Sequence, residues 1–392
     1  MQQSDVIILG AGASGLMCAL AAGQRKRRVM VLDHGRAGRK ILVSGGGRCN
    51  FANRNLTSEH YLSHNPHFCK SALQRFNQTD FLQLVEKHGI EFEERDHGQL
   101  FCRQSASEIL AMLLKECQEA GVVLQLDTKV LEVSKPREGV FVVATNRGDF
   151  HGQALVVATG GLSLPTLGAT PLGYKIAAQF GLKIWPTSAG LVPLTLQPAD
   201  KERLALLAGI ALEAVVTCGR RSFRENLLFT HRGLSGPVIL QISSYWRPGE
   251  ELALDLLPGL DLAAELKSAQ RQRPQAKLKS FFQERLPKRL VVTLLAPEMG
   301  ERVLQSISHS QFQNLARQFQ NWLIKPNGSE GYRTAEITLG GVDCDALASK
   351  SMECRQTPGL FFIGEVLDVS GWLGGYNLQW AWSSGWCAGQ YA

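Results

Sequence analysis

The chain has 392 residues, 44% of them hydrophobic and 20% charged, with a formal net charge of +7 at pH 7. That length is too great for one ordinary core, the composition is that of a soluble globular protein, and the charge is modest for the size, so two or three domains are expected. Nine cysteines lie scattered without a repeated C-x-x-C, a pattern that offers neither a metal site nor a disulfide framework and fits a reducing cytoplasm.

Residues 6–9 (Val-Ile-Ile-Leu) form a short apolar run of the kind that builds a buried parallel strand. Gly10, Gly12 and Gly15 follow at the G-x-G-x-x-G spacing, with Ala13 and Ser14 between them. In that motif the first glycine makes a tight turn, the second lets a pyrophosphate approach the backbone, and the third lets the helix pack close to the sheet. Residues 13–22 read as that helix, and its N-terminus offers free N–H groups to the phosphates. A second strand over 29–32 ends in Asp33, placed for a carboxylate to accept ribose hydroxyls and favouring FAD or NAD over a 2′-phosphorylated nucleotide. Asp5 stands before the apolar run in place of a basic leader, so residues 6–22 do not read as a signal peptide. No other segment approaches a membrane span, and a cytoplasmic protein without membrane partners is expected. The basic cluster Arg25 to Arg28 reads as a solvated helix end, because no aromatic platform accompanies it.

Gly38 to Asn50 is a loop dense in glycine, with Arg39, Lys40 and Arg48 for charge, and it reads as a cofactor wall. A helix is expected over 76–89 and two short strands over 90–102. Residues 105–120 form an amphipathic helix with a capping box of Ser105 and Glu108. Strand 122–126 and a meander over 130–133, 140–144 and 149–151 lead to the buried strand 155–161, which stops at Thr159-Gly160-Gly161. Glycine at the carboxyl end of a parallel strand is where ligands lie in an open α/β sheet. A short helix over 174–180 precedes a change of pattern: β-like runs over 191–240, then a charged helical stretch over 256–323. Sheet character returns at 337–341 and 359–365, and the chain closes on a helix rich in Trp and Ala. A helix opening at Gly374-Gly375-Tyr376-Asn377 can aim N–H groups at a flavin ring edge that becomes negative on reduction.

Three long stretches together resemble one family. They are Gly38-Arg-Lys-Ile-Leu-Val-Ser-Gly-Gly-Gly-Arg-Cys-Asn50, Leu228-Phe-Thr-His-Arg-Gly-Leu-Ser-Gly-Pro237, and Gly364-Glu-Val-Leu-Asp-Val-Ser-Gly371 with Gly374-Gly-Tyr-Asn-Leu-Gln379. The family is that of bacterial NAD(P)/FAD-dependent oxidoreductases that include aminoacetone oxidase and a bile-acid enone reductase. The resemblance implies an α/β fold with a FAD-binding Rossmann-like domain of the glutathione-reductase type and an inserted β-barrel-like domain carrying a helical subdomain. The corresponding boundaries are 1–188 and 335–392 for the FAD domain, 189–255 and 324–334 for the β insertion, and 256–323 for the helical part.

Carried over, the resemblance implies that residues 10–15 hold the FAD pyrophosphate and Asp33 the adenosine ribose, where most relatives carry Glu. It places Arg39 and Lys40 by the adenosine half, Ser44, Gly45, Gly46, Arg48, Cys49 and Asn50 beside the ribityl and flavin, and the Val130 backbone against adenine. Gly364 and Glu365 would meet the ribityl or pyrophosphate, and Gly375, Tyr376, Asn377 and Leu378 the flavin ring. Phe101-Cys-Arg-Gln-Ser105 departs from the family's Phe-Pro-x-Ser, which puts that stretch of wall in question.

No second G-x-G-x-x-G follows a strand, since Gly160-Gly161 runs into Leu-Ser-Leu-Pro, and no C-x-x-x-x-C pair accompanies the flavin loop. Either NAD(P)H docks transiently and the flavin reduces an activated C=C bond of a small substrate, or an amine reduces the flavin and oxygen reoxidises it. Candidates for acting on substrate are Cys49, whose neighbour Arg48 favours thiolate, and Tyr376, Asp368 and His231. Nucleic acid is the disfavoured partner. The alternatives are a tRNA-binding flavoprotein that uses the eight Lys and Arg between Lys267 and Arg289, and a non-catalytic redox-responsive flavoprotein.

Overall fold

The computed structural model describes residues 2–137 and 139–392. The chain forms two compact units, one running to Ser188 and resuming as Glu336–Ala392, the other Ala189–Ala335.

The first unit is a Rossmann-like α/β domain. Five parallel strands lie in the order Val123–Gln125, Val29–Leu32, Gln2–Leu9, Gly148–Val157, Leu360–Phe362. Antiparallel Val140–Thr145 and Val130–Arg137 extend the sheet from the N-terminal half of Gly148–Val157. The register puts Leu32, Leu9, Val157 and Phe362 in one row, so Asp33, Gly10, Ala158 and Ile363 emerge along one carboxyl edge. The first helix, Ala13–Gln24, follows that edge. The final helix, Tyr376–Gly389, buries 11 of its 14 residues, so it packs all round rather than along one stripe. Gly385 and Gly389 make this possible, because a Cβ at either would stand 2.4 Å from Ser14 O or 2.6 Å from Cys18 O on the first helix. Trp382 stacks on Phe81 at 4.5 Å and donates to Phe51 O, which ties the helix to the three-stranded sheet of Asn50–Asn53, Gln99–Cys102 and Phe92–Arg95.

The helix expected over 76–89 is Gln78–Lys87, and a separate helix not expected from the sequence, Phe68–Arg75, precedes it. Asn77 separates the two: its side chain accepts from Thr79 N and Asp80 N, and Asp80 returns the bond to Asn77 N, closing a capping box. The box expected at Ser105 and Glu108 opens the helix Ala106–Glu119. The loop over 38–50 holds a short helix, Arg39–Val43, and a 3-10 turn, Ser44–Gly47.

Within this unit Glu116 is buried, accepting from Lys87 Nζ at 2.5 Å and lying 2.6 Å from His88 Nε2. Burial pushes its carboxyl up, but the bonds from Lys87 and His88 outweigh it and hold the group below the ordinary glutamate value of 4.5. A depressed carboxyl contributes stability above the unfolded value and loses it as pH falls through the folded one. Glu116→Gln is therefore expected to cost about 1–3 kcal/mol at neutral pH. Most of that comes from the side facing His88, since Lys87 is 60% exposed and screened. Thermal melts check it: the gap between wild type and variant should close below about pH 4, and a gap that persists unchanged would rule the pair out.

The second unit is an antiparallel sheet in the order Trp322–Ile324, Leu252–Asp255, Ala211–Cys218, Arg221–Phe229, Gly233–Ser235, Leu194–Leu196, Pro326–Ser329. Its two edge strands are consecutive in the chain, joined by Lys325 alone, so the sheet curls into a barrel-like form. The β-like stretch over 191–240 also contains the helices Pro198–Leu204 and Pro237–Ser243. Five further helices, from Leu262–Gln272 to His309–Gln320, make up the helical stretch. No helix among the described residues is long and apolar enough to cross a membrane.

Candidate functional site

The three glycines after the first strand have three different surroundings. Gly10 has φ +114° and a Cβ there would stand 2.4 Å from Ala158 O. A Cβ at Gly15 would stand 1.9 Å from Gly10 O, so this glycine sets the helix against the turn. Gly12 faces open space, with nothing within 4 Å of an added Cβ. Only the middle glycine is free of a protein reason, and its vacancy is what a phosphate group passing close to the backbone needs. The helix that follows has neither a side-chain cap nor an acid in its first turn, so its leading N–H groups, at Ala13, Ser14 and Gly15, have no side-chain acceptor.

Asp33 closes this turn. Its Oδ2 accepts from Ala11 N at 2.8 Å, and Oδ1 accepts from Gly35 N at 2.9 Å and from Arg39 Nη2 at 3.1 Å. Thr128 N donates to Asp33 O at 2.8 Å, which brings the strand beginning at Val130 to the same corner. Arg39 thus stands with the acid. Lys40 does not. Its Nζ lies 2.6 Å from Glu365 Oε2, 2.6 Å from Ser163 Oγ and 3.2 Å from Glu336 O. The helix Arg39–Val43 turns successive side chains about 100° apart, so neighbours in sequence face different parts of the edge. Glu365 Oε1 in turn accepts from Ser163 Oγ and Thr338 N, both at 2.9 Å. Thr159 Oγ1, just before Gly160, is buried with no hydrogen-bond partner among the described residues, and Gly160 (φ +72°) faces open space.

The glycine loop and the final helix meet elsewhere in the unit. Gly46 faces open space, and Ser44 Oγ donates to Ile41 O at 2.7 Å. Gly45 cannot take a Cβ, which would stand 2.7 Å from Asn50 N, and Arg48 turns outward to Glu93 at 3.3 Å. Asn50 pairs with Gln99 through their amides at 2.9 Å, and Asn53 Nδ2 donates to Gly374 O at 2.8 Å. Gly375 (φ +94°) would drive a Cβ to 2.4 Å from Ala52 O. Asn377 accepts from Gly371 N and donates to Gly371 O, and Tyr61 Oη donates to Tyr376 O at 2.9 Å. The first turn of the final helix, which includes Leu378, again has no side-chain cap and no acid. The divergent stretch at Phe101 still pairs in sheet register with Asn50, and Cys102 N donates to Arg48 O.

Of the four candidates for acting on substrate, Cys49 needs correction. It is fully buried, and burial pushes its thiol up to about 12, so Arg48 does not make it a thiolate. Asp368 is buried and its carboxyl raised by that burial, against hydrogen bonds from His64. It accepts from His64 N at 2.7 Å and lies 2.9 Å from His64 Nδ1, while the His64 ring stacks on Trp185 at 3.6 Å. Tyr376 is buried and packs on His60 at 4.6 Å. His231 is exposed, on the turn after Arg221–Phe229. The residues overlooked in the sequence are His64, Ser163, Thr338, Asn53 and Gln99. Of these only Ser163 carried a local signal, two residues past the Gly160-Gly161 stop.

The donor set therefore fits a dinucleotide: two uncapped helix N-termini, an open glycine, an orphaned buried hydroxyl and an acid at the end of the second strand. Comparisons with known proteins agree. Residues 4–391 match the model of the family described as HI0933-like protein Rossmann domain. The chain is 53% identical to the ribosomal RNA dihydrouridine synthase of Escherichia coli, over 100% of this chain and 98% of that protein. It is 48% identical to the protein of the same name from Haemophilus influenzae, over 98% and 97%. It is 28% identical to the 3-dehydro-bile acid delta(4,6)-reductase of Clostridium scindens, over 98% of each. Among solved structures, the 3-ketosteroid-delta4-(5alpha)-dehydrogenase of Rhodococcus jostii shares the fold, with TM-score 0.50 at 15% identity over 99% of this chain and 96% of that one.

Proposed function

The chain belongs to the HI0933-like family of FAD-dependent Rossmann proteins, and from that premise we propose that it is a flavin-dependent reductase of the uracil C5=C6 bond in ribosomal RNA. The observation that carries this is the full-length 53% identity to a protein named for that reaction. Sequence reasoning had disfavoured nucleic acid as a partner, and the names of both RNA-modifying relatives go against that. The chemistry unites the relatives. A uracil C5=C6 bond is conjugated to the C4 carbonyl, as the alkene of a dienone or enone steroid is to its ketone. The activated C=C reductase expected from sequence and an RNA partner thus become one reading, and nothing here favours amine oxidation.

Bound FAD supplies the hydride transfer. Gly12, Gly160 and the N-terminus of Ala13–Gln24 would take its diphosphate, and Asp33 would accept from the adenosine ribose. The final helix would offer its N–H groups from Tyr376, Asn377 and Leu378 to the ring, with Asn377 holding the preceding loop in place. Reducing the alkene also requires a proton on the second carbon. The Asp368–His64 pair can hold one: Asp368 engages His64 Nδ1, which leaves Nε2 to exchange protons.

The test uses ribosomal RNA from an Escherichia coli strain lacking its 53%-identical relative, incubated with the FAD-loaded protein and NADH or NADPH. Nucleoside mass spectrometry should show dihydrouridine, heavier than uridine by two hydrogens. Absence of the product, with turnover on a steroid enone instead, would move the substrate to the small-molecule class of the 28%-identical reductase.

A further inference from the structure

The positive charge of this protein is unevenly placed. Residues 189–335 contain 19 Lys and Arg against 13 Asp and Glu, a net +6 out of the chain's +7. The obvious basic stretch within them, Lys267 to Arg289, is half neutralised from inside. Arg273 pairs with Glu284 at 2.5 Å, Arg285 with Glu284 and Glu265, and Lys277 and Lys279 with Glu301. Its remaining cations are split between two helices, Lys267 and Arg271 on Leu262–Gln272 and Lys288 and Arg289 on Lys288–Leu294.

A different place gathers unneutralised arginines. The hairpin Ala211–Cys218 with Arg221–Phe229 is paired without interruption from Ala211↔Leu228 to Cys218↔Arg221, so its tip at Arg220 and Arg221 is a rigid prong. Arg221 lies over the Tyr245 ring at 5.3 Å. The tip is joined to the turn after Tyr245 through Glu250, whose Oε2 accepts from Arg247 N at 2.7 Å and lies 3.6 Å from Cys218 Sγ. Arg220, Arg221 and Arg247 are exposed, and among the described residues none of their guanidinium groups forms an ion pair, Glu250 reaching Arg247 only through its backbone N–H. Nearby, Arg224 is paired with Glu213 at 3.0 Å and adds nothing, and the exposed acids of the patch are Glu250 within it and Glu251, its neighbour in the chain.

We propose that the hairpin tip Arg220-Arg221, with Arg247 and Tyr245, is a docking point for the sugar-phosphate backbone of RNA. All three cations are guanidinium groups, whose planar fork matches phosphate oxygens two at a time. An aromatic beside them is the combination that grips exposed, unstacked nucleotides. The rigid strand pairing keeps the arginines together, so little ordering is lost on binding. This rests on the RNA-substrate reading above and adds where the RNA is held.

The experiment is filter binding of the full-length, FAD-loaded protein to the deproteinised ribosomal RNA described above, between about 50 and 200 mM KCl. R220Q/R221Q/R247Q should weaken binding at least about tenfold and lower the slope of log affinity against log salt by about 2 to 3. K267Q/R271Q/K288Q removes the same charge elsewhere and should change affinity by less than about twofold. Retained flavin absorbance and an unchanged melting temperature show that each variant is folded. Wild-type affinity and slope in the first variant, or an equal loss in the second, overturns the proposal. So does a first variant that loses binding to phosphatidylglycerol vesicles while still binding RNA normally. Wild-type protein that reduces ribosomal RNA while the first variant binds it normally sinks this proposal alone. Wild-type protein that neither binds nor reduces it sinks the substrate reading as well.

Discussion

Gly12→Ala should fold and melt like the wild type yet hold FAD about 10- to 100-fold more weakly, whereas Gly15→Ala should fail to reach a stable fold. The two residues lie in one motif and differ only in surroundings. Gly12 has φ −85°, which any residue adopts, and nothing lies within 4 Å of its added methyl. The methyl therefore costs the empty protein nothing and is felt only by a ligand pressed against that backbone. Overfilling a close-packed contact by one carbon costs about 1–3 kcal/mol, which sets the range of affinity loss. At Gly15 the methyl would sit 1.9 Å from Gly10 O, a backbone atom held by the turn, so the helix must move off the sheet. That displacement breaks into a core in which Leu16, Met17 and Ala19 are buried, and the loss should exceed about 3 kcal/mol. Melting curves and a flavin-fluorescence titration of both variants separate the two roles. Unchanged affinity in Gly12→Ala would mean that no phosphate passes there. A well-folded Gly15→Ala would mean that the helix is not held as close as it stands.

The glycine pattern was legible because each of its causes acts within a few residues: a turn, a helix start, a strand end. The same holds for the capping box at Ser105 and Glu108, whose two hydrogen bonds span three positions. Asn77 and Asp80 form a box at the same spacing, yet the apolar spacing of Phe76, Phe81, Leu82 and Val85 set the expected start at residue 76, two positions before the helix Gln78–Lys87 begins. What sequence did not show is what depends on distant pairings. Lys40 goes to Glu365, 325 positions away, while its neighbour Arg39 goes to Asp33. His64 meets Asp368 across 304 positions, and no local pattern links a histidine in a polar turn with an acid near the other end of the chain. The eight Lys and Arg between 267 and 289 suggest a polyanion site in sequence, but Glu284 and Glu265 pair with its arginines and Glu301 with its lysines, contacts that only the fold brings about. Counting charges along a segment measures supply. Only the fold shows how much of it is already spent.

Lys40→Met should lower FAD affinity about 30-fold, and adding Glu365→Gln to it should restore most of the loss. Glu365 is bound on three sides in the wild type: Lys40 Nζ at 2.6 Å, Ser163 Oγ at 2.9 Å and Thr338 N at 2.9 Å. Its side chain is 20% exposed, so its charge is poorly screened by water. Without the ammonium group, a FAD diphosphate brought to this edge meets an uncompensated carboxylate. Two like charges about 4 Å apart at an effective dielectric near 20 repel by about 4 kcal/mol. Lys40 is 37% exposed, and halving the figure for solvent screening leaves about 2 kcal/mol, or about 30-fold. Glu365→Gln removes the negative charge while its amide oxygen still accepts from Thr338 N, so the double variant should regain affinity. Glu365→Gln alone should bind FAD at least as well as wild type, because it frees the ammonium for the phosphates. If the double variant binds as weakly as Lys40→Met, the lysine acts on the phosphates directly and neutralising Glu365 is not its task. If all three bind as the wild type does, the diphosphate does not pass the Lys40–Glu365 pair, and the ion pair serves only to join residues 40, 163, 338 and 365 within the unit.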